Sequence, residues 1–228
     1  MLSCENIHTY YGPAHVLFDL SFEVPEASLV ALIGRNGAGK STTLKSIMGL
    51  VPPRSGTVRF GGRPIQGLQP FEISRIGIGY VPEERRVFSE LTIDENLRVA
   101  ERPGHWTRQR LYSEFPALGE LRERPAGLLS GGQQQMVSIA RSLATNPRLL
   151  LMDEPTEGLA PVIVEGLQTM VQNLRRQGQT CLLAAQDLNF ALAVADEVLV
   201  MDNGRITHRV SGEAARANVD ELSDRLAV

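Results

Sequence analysis

The chain has 228 residues, 43% hydrophobic and 21% charged, and its 23 basic against 26 acidic residues leave a formal net charge of −3. That balance excludes a disordered tail and speaks against a free-standing nucleic-acid binder, which carries a clear basic excess. The length fits one hydrophobic core with at most a subdomain, and the longest unbroken apolar run, Phe190 to Ala195, is far short of the roughly 20 residues a membrane-spanning helix needs. The first residues lack a basic stretch followed by an apolar run, so no secretory signal is expected. Cys4 and Cys181 lack metal-ligand spacing and read as reduced packing residues of a cytosolic protein.

In chain order, the start reads as antiparallel β, with Val16 to Val24 alternating in its second half until Pro25 stops it. Leu29-Val-Ala-Leu-Ile33 is a continuous apolar run before glycines, the pattern of a buried central strand. A helix is expected from Lys40 to Leu50, closed by Pro52-Pro53, then a strand over Gly56 to Phe60 and a turn at Gly61-Gly62. Thr92-x-x-Glu95 is a capping box that should open a helix, broken by Pro103-Gly104. A second helix is expected over Thr107 to Glu114, and a second capping box, Ser130-x-x-Gln133, opens a helix that can run to Ala144. Nine Arg against ten acids over residues 72–124 favour a solvated face with partner contacts over a nucleic-acid track.

The last third alternates strand and helix. Leu149 to Met152 is a strand; Pro161 starts a helix whose Ile163, Leu167, Met170, Val171 and Leu174 keep helical spacing until Gly178. Thr180 to Ala185 is a strand, Leu188 to Ala195 a helix, and Val198 to Met201 a strand that turns at Asn203-Gly204 into Arg205 to Val210. A terminal helix is expected over 213–226. Alternation of this kind implies an α/β fold with a mostly parallel sheet covered on both faces. The helical middle, about 90–146, is then an insertion, and the N-terminal strands form an antiparallel flank.

Gly34-Arg-Asn-Gly-Ala-Gly-Lys40-Ser41 fits Gly-x-x-x-x-Gly-Lys-Ser/Thr, a match that chance supplies in roughly one chain in a hundred of this length. It follows an apolar strand and opens a helix, the setting the pattern requires. Its glycines let successive N–H groups turn inward toward phosphate oxygens, and the helix adds its positive dipole end. Lys40 places a full charge on the β- and γ-phosphates, and the Ser41 hydroxyl can ligate Mg²⁺. Asp153 and Glu154 end a buried strand, at the sheet edge where open α/β sheets bind ligands. Asp153 can hold Mg²⁺ through water, and Glu154 can polarise a water toward the γ-phosphate. Leu129-Ser-Gly-Gly-Gln133 offers a second set of free N–H groups at a helix start beside a hydroxyl.

These elements in this order closely resemble the ATP-binding subunit of ABC transporters. The likeness covers nearly the whole chain, from the aromatic loop at Tyr11 to Gln186 after the strand at 180–185. It implies a P-loop NTPase fold in one domain over 1–228 and hydrolysis of ATP with Mg²⁺. It places ATP against Gly34, Arg35, Asn36, Gly37, Ala38, Gly39, Lys40, Ser41 and Thr42, with Tyr11 stacked on adenine. It implies a second ATPase subunit, identical or different, paired head to tail. Ser130, Gly131, Gly132 and Gln133 of one chain then grip the nucleotide of the other. Two transmembrane permease subunits and an extracytoplasmic binding protein complete the assembly, with this chain peripheral on the cytoplasmic face of the inner membrane and no nucleic acid involved.

Tyr80-Val-Pro-Glu-Glu-Arg-Arg-Val-Phe88, Leu91-Thr-Ile-Asp-Glu-Asn-Leu97, Phe115-Pro116 and Glu154-Pro-Thr-Glu-Gly-Leu-Ala-Pro161 are similar to the shorter of the two ATPase subunits of branched-chain amino acid importers. Related urea, amide or aromatic-acid importers, a soluble non-transport ABC ATPase and a plain phosphotransferase are the alternatives. Glu83 stands where the wider family has a glutamine near Mg²⁺ and the attacking water; a carboxylate can ligate Mg²⁺ but donates nothing when ionised. Ala160 replaces an aspartate that reaches across the dimer, and Gln186 replaces a histidine near the γ-phosphate. Glu84 departs even from the branch, which has glycine there.

Overall fold

The computed structural model describes residues 1–219, 222 and 223. Strands β1 (Leu2–Tyr11), β2 (Ala14–Val24), β4 (Ser55–Phe60) and β5 (Arg63–Pro64) form an antiparallel sheet in the order β2-β1-β4-β5. The second sheet joins β3 (Leu29–Ile33), β6 (Ile78–Val81), β7 (Leu149–Asp153), β8 (Thr180–Ala185), β9 (Glu197–Asp202) and β10 (Arg205–Ser211) in the order β10-β9-β3-β8-β7-β6. All its pairings are parallel except the β9–β10 hairpin at Asn203-Gly204.

The apolar runs of β3, β7 and β8 are continuous because both sheet faces are covered, and successive side chains serve alternate cores. Leu29, Ala31, Ile33, Leu150, Met152, Cys181 and Leu183 face one core, shared with the helices; Val30, Leu32, Leu149, Leu151 and Leu182 face the other, shared with the antiparallel sheet. Each cysteine is buried in one of these cores and forms no disulfide, and burial pushes the Cys181 thiol up to about 12. No helix among the described residues is long and apolar enough to cross a membrane.

Helix α1 (Lys40–Ile47) follows β3, and α2 (Pro70–Arg75) precedes β6. Between β6 and β7 lie α3 (Ile93–Ala100), α4 (Arg108–Glu114), α5 (Pro116–Glu120), a 3₁₀ turn at Ala126–Leu128, and α6 (Gly131–Ala144). Both expected capping boxes form: Thr92 with Glu95 starts α3, and Ser130 with Gln133 starts α6. Helices α7 (Pro161–Arg176), α8 (Leu188–Val194) and α9 (Gly212–Ala217) complete the fold.

The differences from expectation are local. The first helix ends at Ile47 rather than Leu50, because Gly49 turns left-handed (φ 69°) and the Leu50 and Val51 N–H groups fold back onto the Lys45 carbonyl. On α7, Ile163 is only half-buried, since it lies in the first turn beside Gly132. The expected terminal helix over 213–226 is interrupted: α9 ends at Ala217, Asn218 leaves the helix, and 219, 222 and 223 are helical, while 220, 221 and 224–226 lie outside the described residues. Strand β6, four residues long with a glycine, and helix α2, six residues long, are too short to show a period, and neither is expected from the sequence.

Candidate active site

Four neighbouring parallel strands, β3, β8, β7 and β6, deliver the site from their C-terminal ends. The loop 34–39 follows β3, Gln186 follows β8, Asp153 and Glu154 end β7, and Glu83 lies just past β6. This is the edge at which open α/β sheets place ligands. A cleft of about 370 Å³ there is lined by Val16, Asn36, Gly37, Gly39 to Thr42, Glu83, Glu154 and Glu157.

The loop curls because Gly39 takes φ 107°, a conformation that favours glycine. Gly39 caps α1 with no side-chain acceptor, so the helix presents free N–H groups to the cleft. The β9–β10 turn braces the loop through the Gly204 N–H, which donates to the Ala38 carbonyl at 2.9 Å.

Lys40 is buried, and its Nζ donates to the carbonyls of Gly34 at 2.7 Å and Arg35 at 3.2 Å. The same Nζ lies 3.0 Å from Glu154 Oε1. Glu154 is swung toward it by a left-handed backbone (φ 43°), and its other oxygen accepts the Gln186 N–H at 2.8 Å. A strained non-glycine residue of this kind persists only where its surroundings over-determine it. Burial pushes the Glu154 carboxyl above its ordinary range, against the pull of Lys40.

Beside this pair, the Ser41 hydroxyl donates to Asp153 Oδ1 at 2.7 Å and the Tyr80 hydroxyl to Oδ2 at 3.0 Å. Burial raises the Asp153 carboxyl, and those two hydroxyls oppose the rise. Among the described residues no cluster of three His, Cys, Asp or Glu side chains could hold a metal. A hydroxyl and one carboxylate in contact suit Mg²⁺, which keeps waters and takes its other oxygens from substrate phosphates. Burial raises the Glu83 carboxyl, helped by Glu157, Asp153 and Glu84 around it and opposed by Lys45.

The signature residues do not line this cleft. Ser130 is exposed at the start of α6, its hydroxyl accepting the Gln133 N–H at 3.3 Å while Gln133 Oε1 accepts the Ser130 N–H at 3.0 Å. Tyr11 is 45% exposed at the β1–β2 turn, whereas Tyr10 is stacked on His15 with ring centroids 4.0 Å apart and lies under the Arg54 guanidinium. Tyr11 is therefore the ring left open, outside the phosphate cleft. No motif marks Tyr80, Val16 or Glu157 as site residues: Tyr80 lies on the short strand β6, and no spacing rule brings Val16 or Glu157 to the loop.

A family model described as ABC transporter matches residues 17–157. The high-affinity branched-chain amino acid transport ATP-binding protein BraG of Pseudomonas aeruginosa is 43% identical over 226 residues, covering 96% of each chain. The ADP conformation of MJ1267, an ATP-binding cassette of an ABC transporter, aligns with a TM-score of 0.85 at 30% identity, covering 96% of this chain and 94% of that one. A dimeric post-hydrolysis state of the ATP-binding cassette MJ0796, bound to ADP and phosphate, aligns with a TM-score of 0.79 at 27% identity, covering 92% and 98%.

Proposed function

Since the chain belongs to the ABC transporter family and is one of its ATPase subunits, we propose that it powers the uptake of branched-chain amino acids. The cargo reading rests on the end-to-end likeness to BraG, together with the Tyr80–Phe88 and Glu154–Pro161 segments. It places the chain on the cytoplasmic face of the membrane, paired with a second ATPase subunit and bound to two permease subunits fed by an extracytoplasmic binding protein. The chain acts as one domain, 1–228, with helices α3 to α6 as the inserted subdomain that passes motion to the permease.

One arrangement carries the mechanism: Lys40 and Glu154 paired at 3.0 Å, beside Ser41 and Asp153 in contact. The β- and γ-phosphates take Lys40 Nζ from the loop carbonyls, and the N–H groups of 34–42 surround them. Ser41 and Asp153, with Glu83 nearby, would hold Mg²⁺, which when bound would neutralise phosphate charge. Glu154, kept in place by the Gln186 N–H, accepts a proton from the water that attacks the γ-phosphorus as the bond to the β–γ bridging oxygen breaks. Gln186 can donate a hydrogen bond there but adds no positive charge. Tyr11 carries the adenine, and Ser130 to Gln133 of the partner close the site.

Vesicles containing this chain, its partner ATPase and the permease, loaded with ATP and given binding protein outside, test the cargo. Labelled leucine should accumulate, and accumulation should disappear with Lys40→Ala. Uptake of urea with no uptake of leucine would reassign the cargo and leave the ATPase intact.

A further inference from the structure

Three segments far apart in sequence meet at Arg85. Its Nη2 donates to the Glu157 carbonyl at 2.7 Å, in the loop after Glu154. That loop is closed by the Glu157 N–H donating to the Glu154 carbonyl at 3.2 Å. A Cβ on Gly158 would stand 3.3 Å from the same nitrogen, and a Cβ on Gly131 would overlap Arg85 Nη1. The half-buried guanidinium therefore fills the space between the Glu154–Gly158 loop and the first residue of α6. Arg141, further along α6, donates to the Arg86 carbonyl, so the loop carrying Arg85 is hydrogen-bonded to α6 there and packs against its first turn at Gly131.

Local stability does not account for this placement. Arg85 adopts a left-handed backbone (φ 57°), unfavourable for a residue with a side chain. Its cation also sits at the start of a helix, where the dipole disfavours positive charge. What the contact achieves is mechanical. It joins the backbone next to Glu154, in this chain's own site, to the Ser130–Gln133 turn.

We propose that Arg85 is a positioning residue of the ATPase reaction, linking the signature turn to the Glu154 loop so that closure on one nucleotide sets the carboxylate beside the other. This rests on the reading that Ser130 to Gln133 grip the partner's nucleotide. Arg85 touches neither nucleotide and acts through the Glu157 carbonyl.

The test uses the assembled transporter complex with Arg85→Ala, Arg85→Gly and Arg85→Lys. Arg85→Ala should leave KM for ATP and nucleotide binding by the isolated chain within about two-fold of the parent, while kcat falls about ten-fold, the scale of one charge-assisted hydrogen bond. Arg85→Gly relieves the backbone strain yet should lose as much kcat, because the guanidinium is what matters. Arg85→Lys should recover part of it, having one donor in place of a fork. Parental kcat in Arg85→Ala or Arg85→Gly, or a loss that appears in KM instead, would overturn the proposal. Ser130→Arg separates the underlying reading: parental turnover in that variant removes the cross-dimer grip, whatever Arg85 does.

Discussion

The nucleotide cleft and the helical segment between β6 and β7 are built on opposite principles. In the cleft, Glu154 holds a left-handed backbone, two carboxyls are pushed up by burial, and Lys40 is buried against Glu154. In the helical segment, α3, α4 and α6 each begin with a side-chain cap, at Thr92, Thr107 and Ser130, and a single buried Asn96 satisfies a whole turn. Buried charge collects where charge must move, and side-chain caps where a helical body must be carried, although that body also holds the left-handed Arg85 and unpartnered buried atoms on Gln135 and Ser138. Substitutions in the cleft should therefore change rate more than stability, and those in the helical segment the reverse.

The largest effect is expected at Glu154. Glu154→Gln keeps the shape and the Gln186 contact but cannot take a proton, so turnover in the assembled complex should fall at least about 100-fold. Nucleotide binding and the unfolding midpoint should stay near those of the parent. Near-parental hydrolysis would remove Glu154 from its assigned role.

The two regions also differed in how far the sequence revealed them. Capping boxes are local, so Ser130 with Gln133 and Thr92 with Glu95 could be read from four residues each. The glycine-rich loop was equally plain, because close approach to phosphate leaves few residue types possible. Strand β6 carries no such local signal: Ile78-Gly-Tyr-Val is short, holds a glycine, and owes its place to pairing with β7, 71 residues away at the first register pair, Ile78 with Leu149. With β6 went the Tyr80 contact to Asp153. Arg85 could not be read at all as a link, since its partners at Glu157 and Gly131 are brought to it only by the tertiary fold.

Asn96 should give the largest stability effect in the helical segment. Its Oδ1 accepts the Phe88 N–H at 2.9 Å, and its Nδ2 donates to the carbonyls of Phe88, Leu91 and Thr92 at 3.0, 3.2 and 2.9 Å. Asn96→Ala strands these groups and should cost about 2–3 kcal/mol of unfolding free energy. Denaturant titration reads this directly, and a loss under about 0.5 kcal/mol would break the contrast between the regions. Removing only the cap, by Thr92→Ala, should cost about 1 kcal/mol by the same measurement.

The smallest effect is expected at Asp94, and pH sharpens it. Burial pushes the Asp94 carboxyl up, but the Tyr112 hydroxyl at 2.8 Å and the Arg108 guanidinium at 2.7 Å more than offset that, and the net shift is below the ordinary value of 3.8. A carboxyl depressed in the folded state contributes stability that is complete above its unfolded pKa and is lost as pH falls through the folded one. Asp94 and Arg108 are each about a third exposed, so solvent screening holds the contribution to about 1 kcal/mol or less. Asp94→Asn should therefore be less stable than the parent near neutrality by that amount, and the gap should narrow as pH falls below 3.8. A gap that stays constant from neutral pH into that acid range would mean that packing around Tyr112, and not the ionised carboxylate, holds α4 against α3.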